Sequence, residues 1–349
     1  MSNFSKFSSL LDWEDVASGG ESRFPDDCFE IQGDTFIAKF LQQGNFDYNR
    51  VGNLINHKTT AGCNKIKIEI GALVEQSYIY IPDSIPVVSF SVDENNEFYK
   101  SIDGNLYSKD GKILHNYARA RGEKSFTVPN GVEVIGFCAF LAVEGLTEVI
   151  FADSVKEIRP HAFSRSCDIV SIQLNEGLKT IENGAFINCL GLKDAYIPST
   201  VSTIGVAPFA SCTSLFGIDV NKDNEFYKSE NGVLYSKDGA RLIQYPAGKS
   251  TVDFTISKCV TTICESAFCR CKNLETVKIS AGVKCIEQKA FDACAHLEMI
   301  FIPRSVDSIG NFAFRGCDAL TIYCENDKEQ RGWFGAWNFS DCPVIWNAE

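Results

Sequence analysis

The sequence predicts a mainly β repeat solenoid that is poor in helix, with a parallel sheet running along the stack. Three observations lead to this fold class: a 23-residue repeat, a short strand pattern inside each unit, and 26 Phe against only 2 Met. One such unit cannot bury its own apolar side chains, so stacked units must bury them together. Seven units show the repeat, and they begin at Val132, Val155, Leu178, Val201, Val260, Val283 and Val306.

Each unit repeats the same apolar positions, counted from its first residue as position 0. Position 3 is Ile in all seven units, position 7 is Ala in six, position 11 is Cys in five, and position 14 is Leu or Ile. Position 8 is always Phe, namely Phe140, Phe163, Phe186, Phe209, Phe268, Phe291 and Phe314. We expect each coil to place one Phe in the core, which explains the Phe excess.

The strand pattern follows at positions 17 and 19, which are apolar while position 18 varies. Val277, Lys278 and Ile279 are one example, and Ile300, Phe301 and Ile302 are another. This alternation with a period of two indicates a strand with one face in the core and the other face outward. Strands of neighbouring coils would then lie about 4.8 Å apart in a parallel sheet.

Two islands interrupt the repeat, at about residues 221–249 and, 128 residues earlier, at about 93–124. They are near copies, and both contain the segment Leu-Tyr-Ser-Lys-Asp-Gly between apolar alternating runs. Asp-Gly is a favoured two-residue hairpin turn. We therefore interpret both islands as β-hairpin insertions that project from the solenoid.

The two ends do not follow the repeat and are interpreted as caps around a solenoid of residues 61–325. Residues 1–60 form the predicted N-terminal cap, with a short amphipathic helix around Leu10, Leu11, Trp13 and Val16. Residues 326–349 form the predicted C-terminal cap and hold three of the four Trp. Caps are expected because the open end of a stack invites pairing with another strand.

The repeat resembles a known family. The pattern Leu-x-x-Ile-x-Ile-Pro-x-Ser-Val-x-x-Ile-x-x-x-Ala-Phe-x-x-Cys is similar to the BspA-type bacterial leucine-rich repeats, which also occur in treponemal proteins, and it covers roughly residues 80–325. The resemblance implies a right-handed leucine-rich-repeat coil. It also implies a role in adhesion or protein binding, often on a cell surface.

Composition excludes several other classes of protein. The 33 basic and 45 acidic side chains give a net charge of −12, which argues against a nucleic-acid partner. No apolar run approaches the roughly 18 residues of a membrane span. Residues 1–30 lack a secretory signal pattern, which favours the cytoplasm, whereas the family resemblance favours a surface or secreted location.

The 15 cysteines have several interpretations. We expect the thiols at position 11 to be small buried core groups. Disulfides between stacked thiols are an alternative, and so is a zinc site at Cys259, Cys264, Cys269 and Cys271, although that spacing fits no common zinc motif. The odd, unpaired total favours a reducing compartment. We predict no cofactor and no metal.

The candidate functional site is the outward face of the sheet, at positions 16 and 18. Ile150, Tyr196, Met299 and Phe301 are apolar or aromatic there, where solvent favours polar residues. Such side chains indicate contact with a partner, although scattered surface apolar residues are the alternative. The leading hypothesis for the function is a non-enzymatic binding module that recognises a protein, or alternatively a glycan. An intracellular scaffold is the second hypothesis. A carbohydrate-active enzyme is the third, and it would need two converging carboxylates.

Overall fold

The computed structural model describes residues 29–40, 65–72, 81 and 85–348, which form 28 strands and no helix. Within these ranges the chain is a stack of β coils with the predicted 23-residue spacing. Val149, for example, pairs in parallel with Ile172, and Val277 pairs with Ile300. The predicted repeat solenoid is therefore confirmed. The helix predicted around Leu10 lies outside the described residues.

The strands at positions 16–19, together with matching strands before, between and after the repeat units, follow one another along one side of the stack. Backbone pairing joins them in three parallel sheets, with breaks after β12 and after β16, and we call the whole row the long ladder. Its strands are β8 (Ser125–Thr127), β10 (Glu148–Ile150), β12 (Ser171–Gln173), β14 (Asp194–Ile197), β16 (Gly217–Val220), β20 (Asp253–Thr255), β22 (Thr276–Lys278), β24 (Met299–Ile302), β26 (Thr321–Cys324) and β28 (Val344–Trp346). Positions 17 and 19 face the core in most coils, and positions 16 and 18 face outward, as alternation requires.

A short ladder of two-residue strands runs along a second side of the coil, at the Ile of position 3. Its strands are β9 (Val134–Ile135), β11 (Glu157–Ile158), β13 (Thr180–Ile181), β15 (Thr203–Ile204), β21 (Thr262–Ile263), β23 (Cys285–Ile286), β25 (Ser308–Ile309) and β27 (Gly332–Trp333). This ladder was not predicted, because two residues are too few to show an alternating pattern.

The position-8 rings form a buried column along the axis of the stack. Phe163 and Phe186 stack with their centroids 5.2 Å apart, and Phe268 and Phe291 stack at 4.7 Å. The column restarts after the second island, where Tyr245 stacks on Phe268 at 5.0 Å. This column is the centre of the core, as the Phe excess predicts.

The thiols at position 11 lie beside this column and do more than fill space. The Cys189 thiol donates a hydrogen bond to the Phe163 carbonyl with an Sγ–O distance of 3.1 Å, and the Cys294 thiol bonds the Phe268 carbonyl at 2.9 Å. Ser166 makes the same bond to Phe140. Burial raises the pKa of the Cys294 thiol, which keeps it protonated as a donor. All the cysteines among the described residues are free thiols.

Each island is a three-stranded antiparallel meander. The first contains β5 (Tyr99–Ile102), β6 (Asn105–Ser108) and β7 (Ile113–Asn116), and the second contains β17 (Tyr227–Glu230), β18 (Val233–Ser236) and β19 (Arg241–Gln244). The two-residue turns are Asp103–Gly104 and Asn231–Gly232, whose four positive φ values fit a type I′ turn. The predicted Asp110–Gly111 turn lies in the longer connection that follows.

The hairpins are confirmed, but the expectation that they project from the stack is wrong. Strands β7 and β19 run parallel to β9 and β21 and so continue the short ladder. In β18, Leu234 belongs to the core of the preceding coils, whereas Val233 and Tyr235 belong to the core of the following coils. The middle strand β6 of the first island does the same, because Leu106 and Tyr107 belong to two different sections of the core. The middle strand of each island is therefore apolar on both faces.

The two ends add strands to the stack. In the N-terminal part, β1 (Phe29–Gln32) and β2 (Thr35–Phe40) form a hairpin, and β3 (Lys65–Ile70) and β4 (Val87–Val92) extend it in parallel. In the C-terminal part, β27 and β28 extend both ladders, and Trp337 packs edge-on against Phe314 at 5.9 Å. The cap boundaries at 60 and 326 stay predictions.

Candidate functional site

The four predicted contact residues all lie on the outward face of the long ladder, but not in one group. Tyr196 is 44% exposed, whereas Ile150, Met299 and Phe301 are half-buried. Ile150 lies on β10 and Tyr196 on β14, with Gln173 of β12 at the corresponding place between them. Met299 and Phe301 lie on β24, beyond the second island. The face therefore has an N-terminal and a C-terminal half.

The C-terminal half carries a continuous apolar patch of Met299, Phe301, Tyr323 and Ile345. Phe301 pairs across the ladder with Tyr323, which pairs in turn with Ile345. Ile345 is 44% exposed. We call these four residues the C-terminal apolar patch.

The sequence pattern alone did not identify Tyr323 and Ile345, because the last unit is one residue shorter. A strict count of 23 residues places Ile322 and Cys324 outward, but both are buried. The local alternation of Thr321, Ile322, Tyr323 and Cys324 is the signal that would have identified Tyr323 as an outward residue.

The rings of Phe301 and Tyr323 stand upright on the sheet. Their centroids are 5.1 Å apart and their planes differ by 24°. Two rings side by side in one plane would collide at this distance, so the rings must be offset and face to face. Each ring therefore covers one face of its neighbour and presents its edge to solvent.

Polar side chains surround the patch. Lys278 pairs with Phe301 on the side of the second island, and Thr276 and Thr321 pair with Met299 on the two sides of β24. An apolar centre with a polar rim is the usual composition of a protein interface.

The N-terminal half of the face is more polar. Asp194 and Tyr196 point outward from β14, and Asp219 pairs with Tyr196 across the ladder. The Glu148 carboxylate accepts a hydrogen bond from Gln173 at 3.0 Å. Tyr196 and Ile150 are thus single apolar side chains among polar ones.

Glu157 and Glu182 bring two carboxyl groups together on the outside of the short ladder. Glu157 and Glu182 share a side-chain hydrogen bond, and Arg159 forms an ion pair with Glu157 at 3.1 Å. Burial raises the pKa of the Glu182 carboxyl, and the Glu157 carboxylate raises it further. Groups in hydrogen-bond contact are closer than the roughly 5 Å or more between the carboxyls of a glycosidase. We interpret the pair as structural.

This pair gives a pH-dependent prediction for stability. A carboxyl whose folded pKa lies above its unfolded value stabilises the fold at low pH and loses that contribution as the pH rises through the folded pKa. We therefore expect Glu182→Gln to raise the free energy of unfolding at pH 7 and to leave it nearly unchanged at pH 4. Urea unfolding followed by circular dichroism at both values measures this.

Glu176→Gln is the matched control with the opposite sign. Hydrogen bonds from the Ser199 side chain and backbone lower the pKa of the Glu176 carboxyl, so its contribution is present above the unfolded pKa and lost in acid. This substitution should lower the stability at pH 7. A Glu182→Gln variant less stable than the native chain at pH 7 would contradict the assignment.

The described part of the chain offers neither a membrane-spanning helix nor a metal cluster. No helix there is long and apolar enough to cross a bilayer. No group of three or more His, Cys, Asp or Glu side chains in the same ranges is placed to hold a metal ion. His115 is buried, and burial lowers its pKa to about 4.

Comparison with solved structures shows the same architecture elsewhere. A leucine-rich repeat protein from Eubacterium ventriosum is 26% identical, with a TM-score of 0.54 over 65% of this chain and 70% of that one. The pneumococcal vaccine antigen PcpA is 19% identical, with a TM-score of 0.56 over 93% of this chain and 87% of that one. The second likeness is one of fold alone.

Comparison of sequences identifies the family. No curated protein matches this chain. The family described as "BspA type Leucine rich repeat region" matches it in six copies, over residues 116–231 and 247–343. These two ranges contain more than half of the chain and include the coils that stack in the structure. The chain therefore belongs to the BspA-type leucine-rich repeat family.

Proposed function

We propose that this chain is a non-enzymatic protein-binding module and that the C-terminal apolar patch is its contact surface. The observation that carries the proposal is the row of Phe301, Tyr323 and Ile345 on three adjacent strands. A rigid sheet holds these side chains in place, so little conformational entropy is lost on binding. Aromatic side chains at the centre of a surface patch commonly supply most of the binding energy.

The ring geometry favours a protein over a glycan. A sugar binds an aromatic side chain by lying against an open ring face. Phe301 and Tyr323 cover one face of each other, and both stand on edge. Upright rings instead form ridges and grooves that accept the apolar side chains of a protein.

The test compares variants of the patch with a variant elsewhere on the same face. Proteins retained from extracts by the immobilised native chain are quantified by mass spectrometry and purified for affinity measurement. We expect Phe301→Ser with Tyr323→Ser to weaken binding at least 30-fold, which corresponds to a typical hot-spot loss of about 2 kcal/mol.

Tyr196→Ser is the matched variant, because it removes an exposed aromatic ring from the N-terminal half of the face. It should change the affinity less than threefold. If Tyr196→Ser abolishes binding and the double variant does not, the contact lies in the N-terminal half and the proposal for the patch is wrong.

An intracellular scaffold is the second candidate, and the position-11 thiols favour it. Cys189, Cys212, Cys294 and Cys317 each donate a hydrogen bond to a backbone carbonyl, which oxidation would remove. Such thiols suit a reducing compartment. Titration of thiols in chain isolated from its source without reductant separates the candidates, since paired cysteines would favour an exported protein.

A further inference from the structure

The two islands are much more alike than the coils around them. Residues 96–117 and 224–245 are identical at 15 of 22 positions. The 12 positions before them share one identical residue, and the 12 positions after them share two. Because both copies belong to one chain, the difference shows which positions were kept while their surroundings diverged.

The fold accounts for most of the kept positions. Asn96 and Asn224 are buried, and their side chains bond backbone groups of the preceding coil and of their own island. The Ser101 and Ser229 hydroxyls donate to carbonyls of β4 and β16 at 2.8 and 2.6 Å. Others are buried apolar residues or turn glycines with positive φ, namely Leu106, Tyr107, Leu114, Gly104, Gly111 and their counterparts.

The fold does not account for the kept pairs Glu97–Phe98 and Glu225–Phe226. Phe98 is 44% exposed and Phe226 is 49% exposed, in spite of the cost of leaving an aromatic ring in water. Both glutamates are exposed as well. The structure records no partner for either carboxylate among the described residues.

The backbone holds both Phe residues rigidly. The Phe98 amide donates to the Asn96 side chain at 2.8 Å, and its carbonyl accepts from the Lys109 amide at 2.7 Å. Phe226 is held in the same way, by the Asn224 side chain at 2.9 Å and the Lys237 amide at 2.8 Å. The exposure of the rings is therefore a fixed feature of each island and not a consequence of a loose loop.

Lysines of the islands have other partners, so they leave the Glu97 and Glu225 carboxylates unpaired among the described residues. The ammonium groups of Lys109 and Lys237 donate to the backbone carbonyls of Glu94 and Asn224, and Lys228 forms an ion pair with Glu230. Each island thus presents a fixed Phe ring next to a free carboxylate. An aromatic anchor with an adjacent charge selects a partner with an apolar and a basic group side by side.

We propose that Phe98 with Glu97, and Phe226 with Glu225, are two equivalent docking points for a polypeptide segment in which an apolar side chain adjoins Lys or Arg. The short ladder places six strand spacings of about 4.8 Å between β5 and β15, and β17 lies beyond β15, so the two points are at least about 29 Å apart. A partner that carries the segment twice at this distance binds with avidity.

A phage-displayed library of 12-residue peptides is the probe. It is selected on the native chain and depleted on the double variant Phe98→Ser with Phe226→Ser. Enriched peptides should combine an apolar residue with Lys or Arg. The stoichiometry is then measured by calorimetry with one such synthetic peptide. We expect two peptide molecules to bind each native chain, one to bind each single variant, and none to bind the double variant. Two copies joined by a flexible linker that spans the points should bind the native chain at least 100-fold more tightly than either single variant.

Two control variants test whether binding depends on these two rings in particular. Phe216→Ser removes a Phe that is 54% exposed but has Val88 at the corresponding place in the first copy, so it should still bind two peptides. The variant Phe301→Ser with Tyr323→Ser should also bind two peptides, which distinguishes these points from the C-terminal apolar patch.

The proposal is overturned if no peptide discriminates the native chain from the Phe98→Ser, Phe226→Ser double variant, or if the single variants keep a stoichiometry of two. A fall of several degrees in the melting temperature of Phe98→Ser or Phe226→Ser would also overturn it, because the ring would then be kept for packing.

Discussion

Replacing Phe186 by Ala is expected to lower the free energy of unfolding by about 3–5 kcal/mol. The Phe186 ring is fully buried and lies between two others, with centroids 5.2 Å from Phe163 and 5.1 Å from Phe209. The substitution therefore removes a stacking contact on each side and leaves a cavity in the middle of the column. The backbone bonds of residue 186 to Pro208 and Cys212 do not involve the ring, so the neighbouring coils cannot close the cavity without breaking them.

Urea unfolding monitored by circular dichroism measures the loss. Phe216→Ala is the matched control, because that ring is mostly in solvent, and it should cost less than about 0.5 kcal/mol. Because each coil contacts mainly its neighbours, hydrogen exchange should accelerate most in the coils of Phe163 and Phe209. Equal losses for the two variants would mean that the column does not hold the stack together.

The repeat made the core predictable, because a solenoid places the same residue type at the same spacing in every coil. The Phe column and the strands at positions 17 and 19 follow directly from that rule. Tyr323 and Ile345 were missed for the same reason, since one shorter unit shifts the fixed count by a residue. The position of β18 between two sections of the core was not predicted. A strand that is apolar on both faces shows no alternation, so its sequence does not indicate which elements lie beside it.

The positive φ values in the turns of each coil could not be predicted from the sequence either. Positions 6 and 10 have positive φ in every unit, including His161 at 57°, Arg165 at 61° and Phe312 at 59°. Glycine is the usual signal of this backbone conformation, and these three residues are not glycine. The coil holds them there through backbone bonds between coils, such as the one from the His161 amide to the Asn183 carbonyl at 3.1 Å. A contact between coils thus overrides the local preference.

Asn224→Ala is expected to lower the free energy of unfolding by about 3–5 kcal/mol. This is a large effect for a residue that belongs to neither ladder and has no apolar group to lose. Its side chain is fully buried. The amide nitrogen donates to the carbonyls of Pro198 and Val201 at 2.8 and 2.9 Å. The amide oxygen accepts from the backbone of Phe226 and Tyr227 at 2.9 and 2.8 Å. Four bonds of about 0.5–1.5 kcal/mol each would be lost, and buried backbone groups would be left without partners.

The location of these bonds makes the loss larger than a local one. The short ladder ends at β15 and restarts at β17, and no backbone pairing joins the two strands. The Tyr227 hydroxyl accepts a hydrogen bond from the Ile204 amide at 2.8 Å in place of that pairing. Asn224 and Tyr227 therefore connect the first four repeat units to the second island and the coils after it.

The Asn224 variant should consequently separate the unfolding of the two halves. We expect two transitions in urea, with faster hydrogen exchange in β17 and β18 and unchanged protection in β9 to β13. Asn221→Ala is the matched control, because Asn221 also bonds Glu176 and the Asp223 amide but is partly exposed, and it should cost less than about 1 kcal/mol. A single transition with a loss no larger than that of the control would show that buried apolar contact across β18, and not the Asn224 side chain, joins the two halves.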